Sequence, residues 1–105
     1  MLNIYPFILE TLAVIRPIAA QISKCDADLA RQLRRASCSI ALNVAEGTYS
    51  RGKNRSCRYQ SALGSARESL ACLEVALAMG YIRDLPSNIE PRFDRIIGTL
   101  MKLVH

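Results

Sequence analysis

Histidine occurs once in the 105 residues, as the terminal His105, and tryptophan does not occur at all. Without an internal histidine, Ser37, Ser39, Ser61 and Ser65 have no base to activate them as nucleophiles. The same absence removes a carboxylate-bundle metal site at Glu46, Glu68 and Glu74, because such sites pair each Glu with a His one turn along. The four cysteines, Cys25, Cys38, Cys57 and Cys72, include no CxxC or Cys/His spacing, so zinc is not expected. Glycine and proline are sparse, and Gly52-Lys53 alone falls far short of a phosphate-cradling loop. The chain is therefore expected to be no enzyme and to carry no metal or cofactor.

Half of the residues are apolar, which excludes disorder, and the length suits one domain with one core, residues 1–105. Leu, Ile and Ala outnumber Val, Thr and aromatics, which favours helix over sheet. The first 23 residues are apolar, but no basic leader precedes them and Glu10 and Arg16 interrupt the run. They are read as a helix of the fold, with no membrane as partner. Each cysteine falls inside a helical pattern and reads as a reduced packing residue of a cytoplasmic protein.

What is present is a helical period in four blocks. The first is Tyr5, Ile8, Leu12, Ile15, Ala19, Ile22; the second Leu29, Leu33, Ala36, Ile40, continuing through Asn43 to Gly47. The third is Tyr59, Leu63, Ala66, Leu70, Leu73, Leu77, and the fourth Ile89, Phe93, Ile96, Leu100, Leu103. Alternating three- and four-residue steps are the seam of helices crossing at a shallow angle, so the expected fold is all-α, an antiparallel up-and-down four-helix bundle. Asp26 or Asp28 is expected to cap the second helix and Asn54 or Ser56 the third, with Gly52 as the break between them. Gly80 reads as a left-handed stop, Pro86-Ser87 as the opening of the fourth helix with Pro91 in its first turn, and Pro17 as a kink in the first. Apolar residues also lie off the seam, at Leu2, Ile4, Phe7, Leu9, Val14 and Ile18, and late in the third helix at Ala71, Cys72, Val75, Ala76, Ala78 and Met79. These two surfaces are candidates for contact between copies of the chain.

Charge is unevenly placed. Residues 31–67 hold eight bases, Arg31, Arg34, Arg35, Arg51, Lys53, Arg55, Arg58 and Arg67, against the single acid Glu46. That is +7 within a chain whose net charge is +5, leaving −2 elsewhere. The hairpin tip carries Arg51, Lys53, Arg55 and Arg58, and such a field attracts nucleic acid, an acidic protein or an anionic surface. Asn43 stands on the apolar seam, where its expected role is to fix register through hydrogen bonds. Glu46 has no base three or four residues away, so its partner is expected across the hairpin. Antiparallel pairing about Lys53 sets position 43 against 63 and 47 against 59, which brings Arg58 to Glu46 and Arg34 and Arg35 towards Glu68 and Glu74. The expectation is that some of these arginines are engaged inside the bundle while the tip charges stay free.

The run Ser39-Ile40-Ala41-Leu42-Asn43-Val44-Ala45-Glu46-Gly47 resembles the SIxxNIAEG signature of the four-helix-bundle proteins encoded in intervening sequences of bacterial 23S ribosomal RNA genes. Arg34-Arg35-Ala36 precedes it, and Ala62-Leu63-Gly64-Ser65, Glu68 and Met79-Gly80-Tyr81-Ile82 follow in the family's order. The match covers about two-thirds of the chain in three separated motifs; the N-terminal opening departs from that common in relatives. The resemblance implies a homo-oligomeric ring, a homopentamer, and nucleic-acid binding through basic surface residues, as in the related accessory protein of diversity-generating retroelements, which works with a reverse transcriptase. Carried onto this chain, the binding candidates are Arg51, Lys53, Arg55 and Arg58, with Asn43, Glu46 and Gly47 structural.

The function expected first is thus a non-enzymatic, oligomeric RNA- or DNA-binding accessory protein that contacts phosphates with little sequence readout. Tyr49 could stack on unpaired bases, whereas Tyr59 belongs to the seam. The alternative is a scaffold that docks an acidic partner protein such as a reverse transcriptase. A small-ligand bundle would need a cavity that the tightly stepped seam does not suggest.

Overall fold

The computed structural model describes residues 3–104. It contains α1 (Ile4–Ser23), α2 (Ala27–Tyr49), α3 (Gly52–Ala78) and α4 (Ile89–Leu103). Connections of residues 24–26 and 50–51 are too short for anything but antiparallel neighbours, and residues 79–88 join α3 to α4. Each helix packs on the next, and α4 returns to α1 to close a four-helix bundle. The 27 residues of α3, at about 1.5 Å per residue, nearly span the 42 Å long axis of the bundle.

Local chemistry sets the helix ends. Asp26 is extended, and its Oδ1 accepts from the Leu29 N–H at 2.9 Å, capping α2. Asp26→Ala is expected to lower stability by about 1 kcal/mol, read as a shift in the denaturation midpoint. The third helix begins differently from the expectation. Neither Asn54 nor Ser56 caps it; Arg51 is the cap residue, with no side-chain bond, and Gly52 turns the chain at φ +56°. Gly80, at φ +75°, ends α3 in a Schellman turn, with Tyr81 N–H on the Ala76 carbonyl and Gly80 N–H on that of Leu77. The accompanying apolar residue, Ile82, is buried. Helix α4 starts at Ile89 rather than at Pro86-Ser87, and Pro91 lies in its first turn. Helix α1 runs unbroken through Pro17, which is exposed.

The core is built from Ile8, Ile22, Leu33, Ile40, Leu73, Phe93, Ile96 and Leu100 among others, all taken from the four seams. Helix α1 buries a stripe shifted from the expected one: Ile4, Ile8, Thr11, Ile15, Ile18 and Ile22, with Tyr5 and Leu12 only partly covered. An apolar template passes over Thr11, yet Thr11 is fully buried because its hydroxyl is satisfied by the Phe7 carbonyl at 2.9 Å and by Arg92 Nη1 at 3.1 Å. Arg92 and Arg95 also lie over the Phe7 ring, 4.7 and 4.2 Å from its centroid, and tie α4 to α1. Leu2 lies outside the described residues. Helix α1 is long and apolar enough to cross a membrane by length and composition, with a mean hydropathy of 1.2. Its isoleucine stripe is spent on the bundle core.

Of the cysteines only Cys72 is buried; Cys25, Cys38 and Cys57 are exposed, which corrects the expectation that all four pack. Cys25 falls in the α1–α2 turn, and Cys38 and Cys57 sit on the outer sides of α2 and α3. Burial, helped by nearby Glu68, raises the Cys72 thiol pKa above its usual value and keeps the thiol protonated. Maleimide labelling of the native protein is expected to modify three thiols quickly and Cys72 only on unfolding, as counted by mass spectrometry.

Candidate nucleic-acid interface

The α2–α3 hairpin is held by small residues. Gly47 lies so close to the Tyr59 ring that a Cβ built on it would stand 2.5 Å from a ring carbon. Tyr59 is buried, so the pairing of 47 with 59 and the role of Tyr59 as a seam residue follow the sequence expectation. Further back along α2, Ser39 Oγ receives hydrogen bonds from Asn43 Nδ2 at 2.9 Å and from Ser65 Oγ at 2.8 Å. Asn43 Nδ2 also bonds the Ser39 carbonyl. Asn43 is therefore not buried on the seam, where Val44 takes the core place. It is half-buried at the edge and supports the α2–α3 contact through Ser39.

The ion-pair expectation fails. Glu46 is exposed and makes no salt bridge, and the same holds for Arg34, Arg35 and Arg58 among the described residues. Two physical reasons account for this. The two residues of each pair considered, Arg58 with Glu46 and Arg35 with Glu68, flank open grooves on the α2–α3 face, where water competes with the ion pair. Arg34 is carried round the helix to the α1 side, away from Glu68 and Glu74. The groove between Arg35 and Glu68, of about 430 Å³, also contains Ser39 and Ser65; the one between Arg58 and Glu46 contains Asn43 and the exposed Leu42.

Beyond Tyr59 the hairpin has no buried face. Residues 52–58 are helical yet every one is exposed, so the first two turns of α3 stand clear of the core. Lys53, Arg55 and Arg58 lie here with Arg51 at the cap just before, no acid occupies the first turn, and the cap residue makes no side-chain bond to its free N–H groups. Positive side chains at a helix N-terminus oppose the helix dipole, an arrangement that an anion relieves. Tyr49, 81% exposed, stands immediately before this segment.

Arg55 differs from its neighbours. Its Nε donates to the Gly47 and Ser50 carbonyls at 3.1 and 3.0 Å, and its Nη2 to the Thr48 carbonyl at 3.3 Å. It satisfies the last carbonyls of α2, where a cation also meets the negative end of the helix dipole. Its place in the sequence groups it with the free tip charges, and only its distance of eight residues from Gly47, across a two-residue turn, hints at the closure. The side chains of Arg51, Lys53 and Arg58 make no hydrogen bond or ion pair among the described residues.

The family model described as 23S rRNA-intervening sequence protein matches residues 10–102. The chain belongs to this family. The match runs from the first turns of α1 nearly to the end of α4, so the family model covers all four helices. In this intervening-sequence protein the signature run divides by side. Ile40, Val44 and Gly47 enter the core, whereas Ser39, Asn43 and Glu46 line the outer α2–α3 face. No curated protein and no solved structure matches the chain.

Proposed function

We propose that the protein is a non-enzymatic, cytoplasmic, homo-oligomeric nucleic-acid-binding accessory protein, whose hairpin tip contacts phosphates. The observation that carries this reading is the exposed two-turn start of α3, where Arg51, Lys53 and Arg58 form no ion pair and no acid occupies the first turn. Point charges on a projecting helix favour a polyanion over a shaped small molecule, and they confer affinity rather than sequence choice. Tyr49 supplies an aromatic face beside them for an unpaired base. Several tips in one assembly, a homopentameric ring in the reading that the family likeness supports, would add weak contacts into useful avidity.

Cys57 offers a built-in reporter, because it lies in the tip between Arg55 and Arg58 and is exposed. Structured RNA or duplex DNA is expected to slow maleimide labelling of Cys57 and to leave Cys25 unchanged. Equal Cys57 rates with and without either nucleic acid would count against the tip as the contact.

A second reading, docking of a partner protein, is favoured by one observation. The outer α2–α3 face mixes Arg35 and Arg58 with Glu46 and Glu68 around the exposed Leu42, a balanced and partly apolar surface unsuited to a phosphate backbone.

A further inference from the structure

Two surfaces away from the tip are complementary to each other. The first is a groove of about 480 Å³ between α1 and α2, floored by Leu12, Ala13, Ile15 and Ala19. Arg16 and Arg34 stand at its rim, both exposed and with no acid paired to them among the described residues. The second is the outer side of α3 near its C-terminus, where Ala71, Val75 and Met79 recur at intervals of four and are all exposed. Glu74 lies beside them, likewise exposed and unpaired.

Residues spaced by four form a ridge along a helix, and ridges of this kind pack into the groove between side-chain rows of another helix. The ridge here is apolar with one acid. The groove is apolar with two bases and no acid. Within one chain the two cannot meet, because the groove lies between α1 and α2 and the ridge on the outside of α3.

We infer that the α3 ridge of one copy seats in the α1–α2 groove of the next, with Glu74 against Arg16 and Arg34. Different patches then meet at each contact, so the association is head-to-tail and either closes into a ring or continues. Val75 and Met79 enter the apolar floor, and the rim pairing sets the direction of approach. This inference rests on the homo-oligomer of the proposed function but not on nucleic-acid binding.

The test uses one variant that spoils each surface, Ala13→Glu in the groove and Val75→Glu on the ridge, both at exposed positions. Sedimentation velocity is expected to show wild-type protein as an oligomer and each variant as a monomer of unchanged helicity by circular dichroism. Mixed in equal amounts, the variants keep one intact groove and one intact ridge between them, so they are expected to form a one-to-one dimer and nothing larger. Arg34→Glu is expected to weaken assembly at least tenfold, and adding Glu74→Arg in the same chain to restore it. A wild-type monomer would overturn the homo-oligomer reading as well. An oligomer that persists in either variant, or a mixture that stays monomeric, would overturn this pairing alone.

Discussion

Replacing Gly47 by alanine is expected to be the most destabilising small substitution in the protein. The added Cβ would stand 2.5 Å from one ring carbon of Tyr59 and 2.8 Å from the next, well inside van der Waals contact. Relief would require the Tyr59 ring to move, and that ring is buried, 4% exposed, between helices whose other contacts hold it. Overpacking of this kind costs about 1–3 kcal/mol, and a protein of this size shifts its midpoint by about 4–8 °C per kcal/mol. Thermal melts of Gly47→Ala, Tyr59→Leu and the double variant test the cause. If the two residues share one strained contact, the double variant should recover much of the loss through a favourable coupling. A Gly47→Ala protein that melts with the wild type would show that the α2–α3 hairpin is not packed this closely.

The second large effect separates the four basic residues of the tip. Arg51→Ala, Lys53→Ala and Arg58→Ala together should leave the melting temperature unchanged or slightly raised, because they remove positive charge from a helix N-terminus. Nucleic-acid affinity should fall sharply, and its salt sensitivity should weaken. Because the variant neutralises three fewer phosphates, a fourfold rise in salt should cost it about 40-fold less affinity than it costs the wild type. Arg55→Ala should do the reverse on stability. It strips the hydrogen bonds from the Gly47, Thr48 and Ser50 carbonyls and lowers stability by about 0.3–1 kcal/mol. Paired melts and binding isotherms of the two variants decide whether the tip divides into contact residues and a closing residue. Equal loss of stability in both would contradict that division.

Much of the fold was legible because period and punctuation agree. The seam of α4, the Asp26 cap, the Gly80 stop and the pairing of Gly47 with Tyr59 follow from apolar spacing and from residues whose backbone preferences are strong. Late in α3, by contrast, the buried stripe passes through Ser69, Cys72 and Ala76 and leaves Leu70 and Leu77 half-covered. The α1 stripe was displaced at Thr11, because an apolar template cannot see a hydroxyl whose partner, Arg92, lies 81 residues away. Side-chain pairing was the least legible layer. Register correctly places Arg58 opposite Glu46, but it says nothing of whether they meet on a dry face or across an open groove, and the groove leaves both free. Arg34 and Arg35 are neighbours in sequence yet point to different grooves, which a one-dimensional register cannot resolve. The candidate tip was legible as a cluster of charge, whereas the role of Arg55 in closing α2 depended on backbone carbonyls that carry no sequence label.

The most direct measurement is a titration of fluorescent structured RNA and duplex DNA with the wild-type protein, at about 50 and 200 mM salt. Binding at the lower salt that weakens steeply at the higher, and that is lost in the Arg51/Lys53/Arg58→Ala variant, is the predicted result. Absence of binding to both at the lower salt would contradict the account and leave the basic tip to be read as a docking site for an acidic protein.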